Sequence, residues 1–201
     1  MERSIAVCQV FPTDSEIIVE DFREVRLREF YIDHPEVIRV AKNALAEGRV
    51  LLTTTPRCSL VLATTASELC VREALLRPIL HGSFHSRSSG DLMAAIIVTE
   101  RNERLTRALL PIFARHTGID LRTFNRSGSA TPLGKEMSEI QTIRNTILHQ
   151  GHSATYEEAD KAIKIADCLL DDIFQRVIEK IGLHLHDDTV CGGRECLLGG
   201  E

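Results

Sequence analysis

The sequence predicts an all-α fold, a bundle of about five helices. Two observations carry this prediction: apolar residues recur at steps of three and four over long stretches, and typical helix-start and helix-stop residues lie between those stretches. A third is that 43% of the 201 residues are hydrophobic, which is enough to bury one core. The apolar run over residues 5–11 is too short to span a bilayer, so we expect a cytoplasmic protein with no membrane partner.

The first part of the chain divides into an extension and the start of a helical domain. Residues 1–35 contain short β-branched runs at 17–19 and 25–32 without a helical repeat, so we expect a small N-terminal extension with short strands. Pro35 indicates a helix start and Gly48 its end. A second helix is predicted over 57–80, disturbed near its end by Pro78, and a third from Asp91 to about residue 116.

The last two predicted helices have the clearest periodicity. In the first, over residues 135–149, Gly151 follows as a terminator, and the apolar stripe consists of Met137, Ile140, Ile143, Ile147 and Leu148. Thr155 and Glu158 then form a capping-box pattern for a final helix that reaches about residue 181. The short link between the two predicts an antiparallel helical hairpin. The helical domain is therefore assigned to residues 36–182, and residues 183–201, which lack periodicity, to a flexible tail.

Charge is unevenly distributed along the chain. The net charge is −5, yet residues 101–149 carry eight basic and only four acidic side chains. Such a stretch is able to contact a few phosphates locally, and the candidate RNA-binding residues in it are Arg101, Arg104, Arg107 and Lys135. The alternative is that these charges lie on solvated helix faces with no ligand.

The remaining patterns exclude several classes of site. The chain has no phosphate-binding glycine loop, no Gly-x-Ser-x-Gly elbow, no His-Glu-x-x-His and no Trp. Its six cysteines form no Cys-x-x-Cys pair, and we expect Cys58, Cys70 and Cys168 to be reduced, mostly buried thiols. Histidines and cysteines in the tail match no closed zinc site. We therefore expect neither a metal nor a cofactor.

Arg144, Asn145 and His149 are the candidate catalytic residues. Arg144 lies four residues from both Ile140 and Leu148, so its charge projects from or beside the apolar stripe and needs a partner. The charge must meet a ligand phosphate, a water-filled cleft or a carboxylate, for which Glu68 on the second helix is the candidate. Asn145 and His149 are four apart and share a face. The alternative for a histidine in a last helical turn is an interaction with the helix dipole.

The segment 144–149, Arg-Asn-Thr-Ile-Leu-His, resembles the motif of the HEPN family, an Arg, a polar residue, three further residues and a His. The glycine-containing turn and the amphipathic helix that follow also match the family, and residues 67–76 resemble its second-helix stretch, in which a polar or acidic residue faces the motif. The resemblance covers roughly residues 36–182. It implies a HEPN-like bundle and a homodimer in which two motifs form one composite active site.

By this resemblance the expected activity is metal-independent RNA cleavage, in which a ribose 2′-OH attacks the adjacent phosphate and leaves a 2′,3′-cyclic phosphate. The implied role is a toxin or phage-defence effector, with a cognate antitoxin or regulatory protein as a partner. One family subgroup has a modifiable Tyr two residues after the histidine, whereas this chain has Gly151 there. Two alternatives stay open: a catalytically silent HEPN dimer that binds a nucleotide, RNA or a protein, and an unrelated helical scaffold.

Overall fold

The computed structural model describes residues 14–83 and 103–193, with side chains over 24–83 and 109–193. Within these ranges it is mostly helical, with six helices and one small two-stranded hairpin. The helices are α1 (Asp14–Asp33), α2 (Arg39–Leu51), α3 (Pro56–Leu69, continuing through Cys70–Leu76 and Arg77–Gly82), α4 (Glu103–Thr117), α5 (Leu133–Gln150) and α6 (Tyr156–Asp167, continuing through Cys168–Ile173 and Phe174–Lys180). The strands are β1 (His184–His186) and β2 (Thr189–Cys191). The prediction of a mostly helical bundle is confirmed.

Helix α1 corrects the expectation of strands in the N-terminal extension. Residues 14–33 are helical, and Leu27, Phe30 and Tyr31 are buried in the same core as the rest of the bundle. These three residues lie at helical spacing, so burial of one helix face outweighs the β propensity of the neighbouring branched residues. Val25 and Ile32, which suggested a strand, are exposed. Residues 1–13 of the predicted extension lie outside the described residues.

Helix α2 begins and ends later than predicted. Pro35 lies in the turn between α1 and α2, and α2 runs from Arg39 past Gly48 to Leu51. Gly48 is buried against α3, where a Cβ atom would stand 3.3 Å from the Ser59 carbonyl oxygen and 3.4 Å from the Cβ of Leu62. The absence of a side chain therefore allows two helices to approach closely, and it does not mark a helix end.

Helix α3 is the centre of the bundle, because it contacts α1, α2, α5 and α6. Its middle turns widen into a π-helical segment at Cys70–Leu76, just before the predicted disturbance at Pro78. Proline has no N–H to donate to a carbonyl of the preceding turn. The hydroxyl of Tyr31 donates to the Ala74 carbonyl oxygen in that turn at 2.7 Å, so α1 supplies a hydrogen bond to α3 there.

The two C-terminal helices follow the predicted pattern. Gly151 ends α5 with a φ of 71°, a left-handed conformation that favours glycine. Thr155 caps α6: its Oγ1 accepts from the Glu158 backbone N–H at 3.2 Å, and its own N–H donates to Glu158 Oε2 at 2.9 Å. The predicted capping box is confirmed. Ten apolar residues at helical spacing on α6 are buried: Ala159, Ala162, Ile163, Ala166, Leu169, Leu170, Ile173, Phe174, Val177 and Ile178.

The expected flexible tail is wrong for residues 183–193. Strands β1 and β2 pair antiparallel, and Leu183 and Val190 are buried. Arg28 of α1 donates to the carbonyl oxygens of Ile181 and Gly182 at 3.0 Å and of Gly192 at 3.1 Å, which fixes the hairpin against the end of α6. Strands of three residues are too short to show a readable period. Residues 194–201 lie outside the described ranges.

Among the described residues no helix combines the length and the apolar character needed to cross a bilayer.

Candidate active site on helix α5

Helix α5 presents Arg144, Asn145 and His149 on its last two turns. Ile140 and Ile147 are buried and fix the helix against the core, while Asn145 and His149 are exposed on its outer face. Leu148 departs from the predicted apolar stripe, since 49% of it is exposed. The outer face of α5 therefore carries polar motif residues with an apolar side chain beside them.

Arg144 is largely enclosed, with 13% of its side chain exposed. Its Nη2 lies 3.9 Å from Glu68 Oε2 on α3, at the outer limit of an ion pair, and its Nη1 donates to Asn145 Oδ1 at 3.2 Å. The Nε atom is buried and has no hydrogen-bond partner within the described part of the chain. Glu68 is thus a partner of Arg144, as the helix spacing suggested, but a loose one.

His149 stands in the last turn of α5, two residues before the terminating Gly151. Its side chain is exposed, and over residues 24–83 and 109–193 no hydrogen bond or ion pair engages the imidazole. Both ring nitrogens are therefore available to a ligand or to a second molecule. Arg144 and Asn145 form a hydrogen bond, and Asn145 shares a face with His149 one turn away, but within one chain no hydrogen bond joins the side chains of Arg144 and His149.

Gln141 belongs to the same face and was not singled out by the sequence. It precedes Asn145 by four residues, as Asn145 precedes His149, and its side chain is exposed. Its Nε2 lies 3.5 Å from Glu68 Oε1, so Glu68 contacts both Gln141 and Arg144. The four-residue spacing between Asn145 and His149 predicts Gln141 as the next residue on this face, one turn closer to the N-terminus.

The candidate RNA-binding residues are only partly described. Arg101 lies outside the described residues, and Arg104 and Arg107 lie in α4 with side chains outside them. Lys135 is exposed in the first turn of α5, fourteen residues before His149 and therefore about 21 Å from it along the helix axis. Lys135 is thus not adjacent to the motif in the same chain.

Part of the positive charge in residues 101–149 is neutralised locally. Arg122 pairs with Asp120 at 2.7 Å, and this contact lowers the pKa of the Asp120 carboxyl. Arg126 donates to both carboxylate oxygens of the buried Glu136, at 2.8 and 2.9 Å. These two arginines form ion pairs within the chain. The basic stretch therefore has fewer unpaired positive charges than its number of basic residues suggests.

Among the described residues, the cysteines and the histidines of the C-terminal hairpin do not gather into a further site. Cys70 is buried, Cys168 is half-buried, and Cys58 is exposed, which corrects the expectation that Cys58 is mostly buried. His184 faces Cys191 across the hairpin. Over residues 24–83 and 109–193, no three metal-binding side chains lie together, and Cys196 lies outside these ranges.

The chain was compared with models of protein families, with curated proteins and with solved structures, and none of the three comparisons found a match.

Proposed function

We propose that this protein is a HEPN-type, metal-independent endoribonuclease with Arg144, Asn145 and His149 in its active site. The observation that carries the proposal is the environment of Arg144: its guanidinium is mostly buried, its carboxylate partner is 3.9 Å away, and its Nε has no partner within the described residues. A buried charge with so little compensation is costly. A phosphate oxygen would complete its hydrogen bonds, and guanidinium groups bind phosphate strongly.

The exposed imidazole of His149 supplies the acid–base chemistry. In its neutral form it takes the proton of the ribose 2′-OH while O2′ attacks the adjacent phosphorus, and a protonated imidazole gives its proton to O5′ as the P–O5′ bond breaks. Arg144 stabilises the negative charge that develops on the phosphorane. Asn145, whose Oδ1 already accepts from Arg144, orients that guanidinium or binds the phosphate. The products are a 2′,3′-cyclic phosphate and a 5′-hydroxyl.

A homodimer would complete this site. The reaction needs both a base and an acid, and one chain provides a single His149, whereas a two-fold dimer with facing motifs supplies two. Exposed Leu148 lies directly beside His149, and the partly exposed ring of Tyr156 follows the turn at the end of α5. These exposed apolar side chains suit a contact between two copies around the polar motif.

The biological role that fits such an enzyme is a cytoplasmic toxin or phage-defence ribonuclease controlled by an antitoxin or a regulatory protein. Gly151 occupies the position where one HEPN subgroup carries a modifiable Tyr, and its φ of 71° terminates α5. Control by modification at that position is therefore not part of the proposal. Lys135 and the basic residues Arg101, Arg104 and Arg107 remain candidates for contacts with RNA further from the cut.

A second candidate function is a catalytically silent HEPN dimer that binds a nucleotide, RNA or a protein. The observation that favours it is that Arg144 lies between Glu68 and Asn145 and does not contact His149 in the same chain. In that case Arg144 would serve as a structural ion pair, and His149 would contact a ligand without transferring a proton.

The test is cleavage of labelled total RNA in EDTA by the purified protein, His149→Ala and a matched control, His152→Ala. His152 is an exposed histidine three residues further along and outside the motif. We expect the wild type and His152→Ala to cut RNA and His149→Ala to be slower by about a hundredfold or more, as for loss of a general acid–base group. Cleavage by His149→Ala at the wild-type rate would exclude this mechanism, and no cleavage by the wild type would favour the silent dimer.

A further inference from the structure

The outer face of α5 carries a column of three exposed polar side chains. Gln141, Asn145 and His149 follow one another at four-residue steps, so they lie one above the other and span about 12 Å along the helix axis. Glu68 of α3 stands at the Gln141 end, with its Oε1 3.5 Å from Gln141 Nε2. The proposed catalytic residue His149 lies at the opposite end.

Glu68 and Gln141 together present a defined set of hydrogen-bonding atoms. The carboxylate has two acceptor oxygens, and the amide has two N–H donors beside one acceptor. About a third of the Glu68 side chain, 34%, is exposed, and Gln141 lies on the surface. The contact between them is long and uses one N–H, so both groups keep hydrogen-bonding capacity for a ligand.

Guanine is the RNA base whose Watson–Crick edge fits this set. Its N1–H and N2–H groups are two adjacent donors that a carboxylate accepts together, and its O6 accepts from an amide N–H. Uracil places one donor between two acceptors, and adenine and cytosine each place a ring-nitrogen acceptor where the second carboxylate oxygen would stand. The negative charge of Glu68 strengthens the bonds to guanine and repels these acceptors.

We propose that Glu68 and Gln141 form a guanine-binding subsite beside the catalytic residues. This inference rests on the proposed function, because it identifies the nucleotide whose phosphate would meet Arg144 and His149. The separation of about 12 Å along the column is comparable with the reach of one nucleotide and the side chains that hold it. Glu68 Oε2 is 3.9 Å from Arg144 Nη2, so the carboxylate of the base subsite also lies near the guanidinium that would bind the phosphate.

The test is calorimetric binding of the four nucleoside 3′-monophosphates to the full-length protein. The variants are Gln141→Ala, Glu68→Gln and a control, Thr142→Ala, whose exposed hydroxyl donates to the Ser138 carbonyl of its own helix. We expect the wild type and Thr142→Ala to bind the guanine nucleotide about tenfold more tightly than the others, the scale of one bidentate contact. Gln141→Ala should reduce this preference several-fold, and Glu68→Gln should abolish it, because one acceptor becomes a donor.

The outcomes separate this inference from the ribonuclease itself. A wild type without guanine preference, or a preference that survives both substitutions, overturns the subsite. If the protein binds the guanine nucleotide selectively but cleaves no RNA, the result supports the subsite and contradicts the proposed ribonuclease activity. Because Gln141 is exposed, its variant remains folded and informative even if Glu68→Gln lowers the melting temperature.

Discussion

Arg144 shows how far one residue can be interpreted from sequence. Its spacing from Ile140 and Leu148 predicted a charge beside the apolar stripe, and the structure places it there, with 13% of the side chain exposed and Glu68 nearby. The distance of 3.9 Å to Glu68 and the unpartnered Nε depend on side-chain rotamers, which no spacing rule encodes. Gln141 gives no apolar signal, and only its four-residue spacing from Asn145 relates it to the site.

At the residue scale, thiol reactivity should follow burial. Burial, and then the negative charge of Asp172, raises the pKa of the Cys168 thiol to about 11. The thiolate is the reactive form, so at pH 8 we expect iodoacetamide to label Cys168 about a hundredfold more slowly than a thiol of ordinary pKa. Of Cys58, Cys70 and Cys168, exposed Cys58 should react first, and buried Cys70, whose pKa burial also raises, only after unfolding.

Mass spectrometry of the labelled peptides measures these rates. Labelling of Cys168 should accelerate as the pH rises towards 11, because the thiolate fraction grows with each unit. Equal rates for Cys58 and Cys168 at pH 8 would show that Cys168 is not shielded as the structure indicates.

At the element scale, the start of α5 depends on a buried ion pair. Glu136 is 2% exposed, and it accepts from Arg126 at 2.8 and 2.9 Å and from the Ser129 hydroxyl at 2.9 Å. These contacts fix the irregular segment 118–132 to the first turn of the helix that carries the motif. The segment falls between two predicted helices, but no sequence periodicity relates Arg126 to Glu136, which lie ten residues apart.

We expect Glu136→Ala to destabilise the protein by about 3–5 kcal/mol, because it leaves the Arg126 charge buried without its partner. The measurement is the free energy of unfolding from urea titration. The matched control is Glu139→Ala, one turn further on α5, which removes an exposed carboxylate that pairs with Lys161 at 2.9 Å. That variant should unfold close to the wild-type midpoint. Equal losses in the two variants would contradict the account of Glu136.

Some elements are predictable from the sequence and others are not. Helix α6 repeats its apolar residues over seven turns and has a capping box, so its bounds were predicted closely. Gly48 resembled a helix end, but it lies inside α2, where the missing side chain allows close contact with α3. Val25 and Ile32 suggested a strand because their side chains are β-branched. The segment is helical instead, because a helix buries Leu27, Phe30 and Tyr31 on one face.

At the scale of the whole molecule, contacts between distant residues close the fold. Arg28 reaches Gly192, 164 residues away, and Lys42 of α2 pairs with Asp171 of α6 at 3.2 Å and with Asp188 in the hairpin turn. The backbone N–H of Val190 donates to the Pro35 carbonyl at 2.8 Å. Such contacts hold the C-terminal hairpin to three helices and their connections. No local pattern predicts them, which explains why residues 183–193 were assigned to a tail.

The proposed dimer is also a property of the whole molecule. We expect a solution mass of twice the chain mass of 22.4 kDa. Leu148→Asp should give the mass of one chain and lose RNA cleavage, because it puts a charge into an apolar contact beside His149. Val50→Asp is the control, since Val50 is even more exposed and lies on α2 away from the motif. Analytical ultracentrifugation measures both, and a monomeric wild type that still cleaves RNA would refute the composite site.

The most direct measurement of the central claim is the chemistry of the RNA ends produced in EDTA. Attack by the 2′-OH predicts a 2′,3′-cyclic phosphate and a 5′-hydroxyl, and predicts that an RNA with a single 2′-deoxy nucleotide at the cut position stays intact there. Cleavage of that deoxy-substituted position, or products with a 3′-hydroxyl and a 5′-phosphate, would contradict the mechanism assigned to Arg144 and His149.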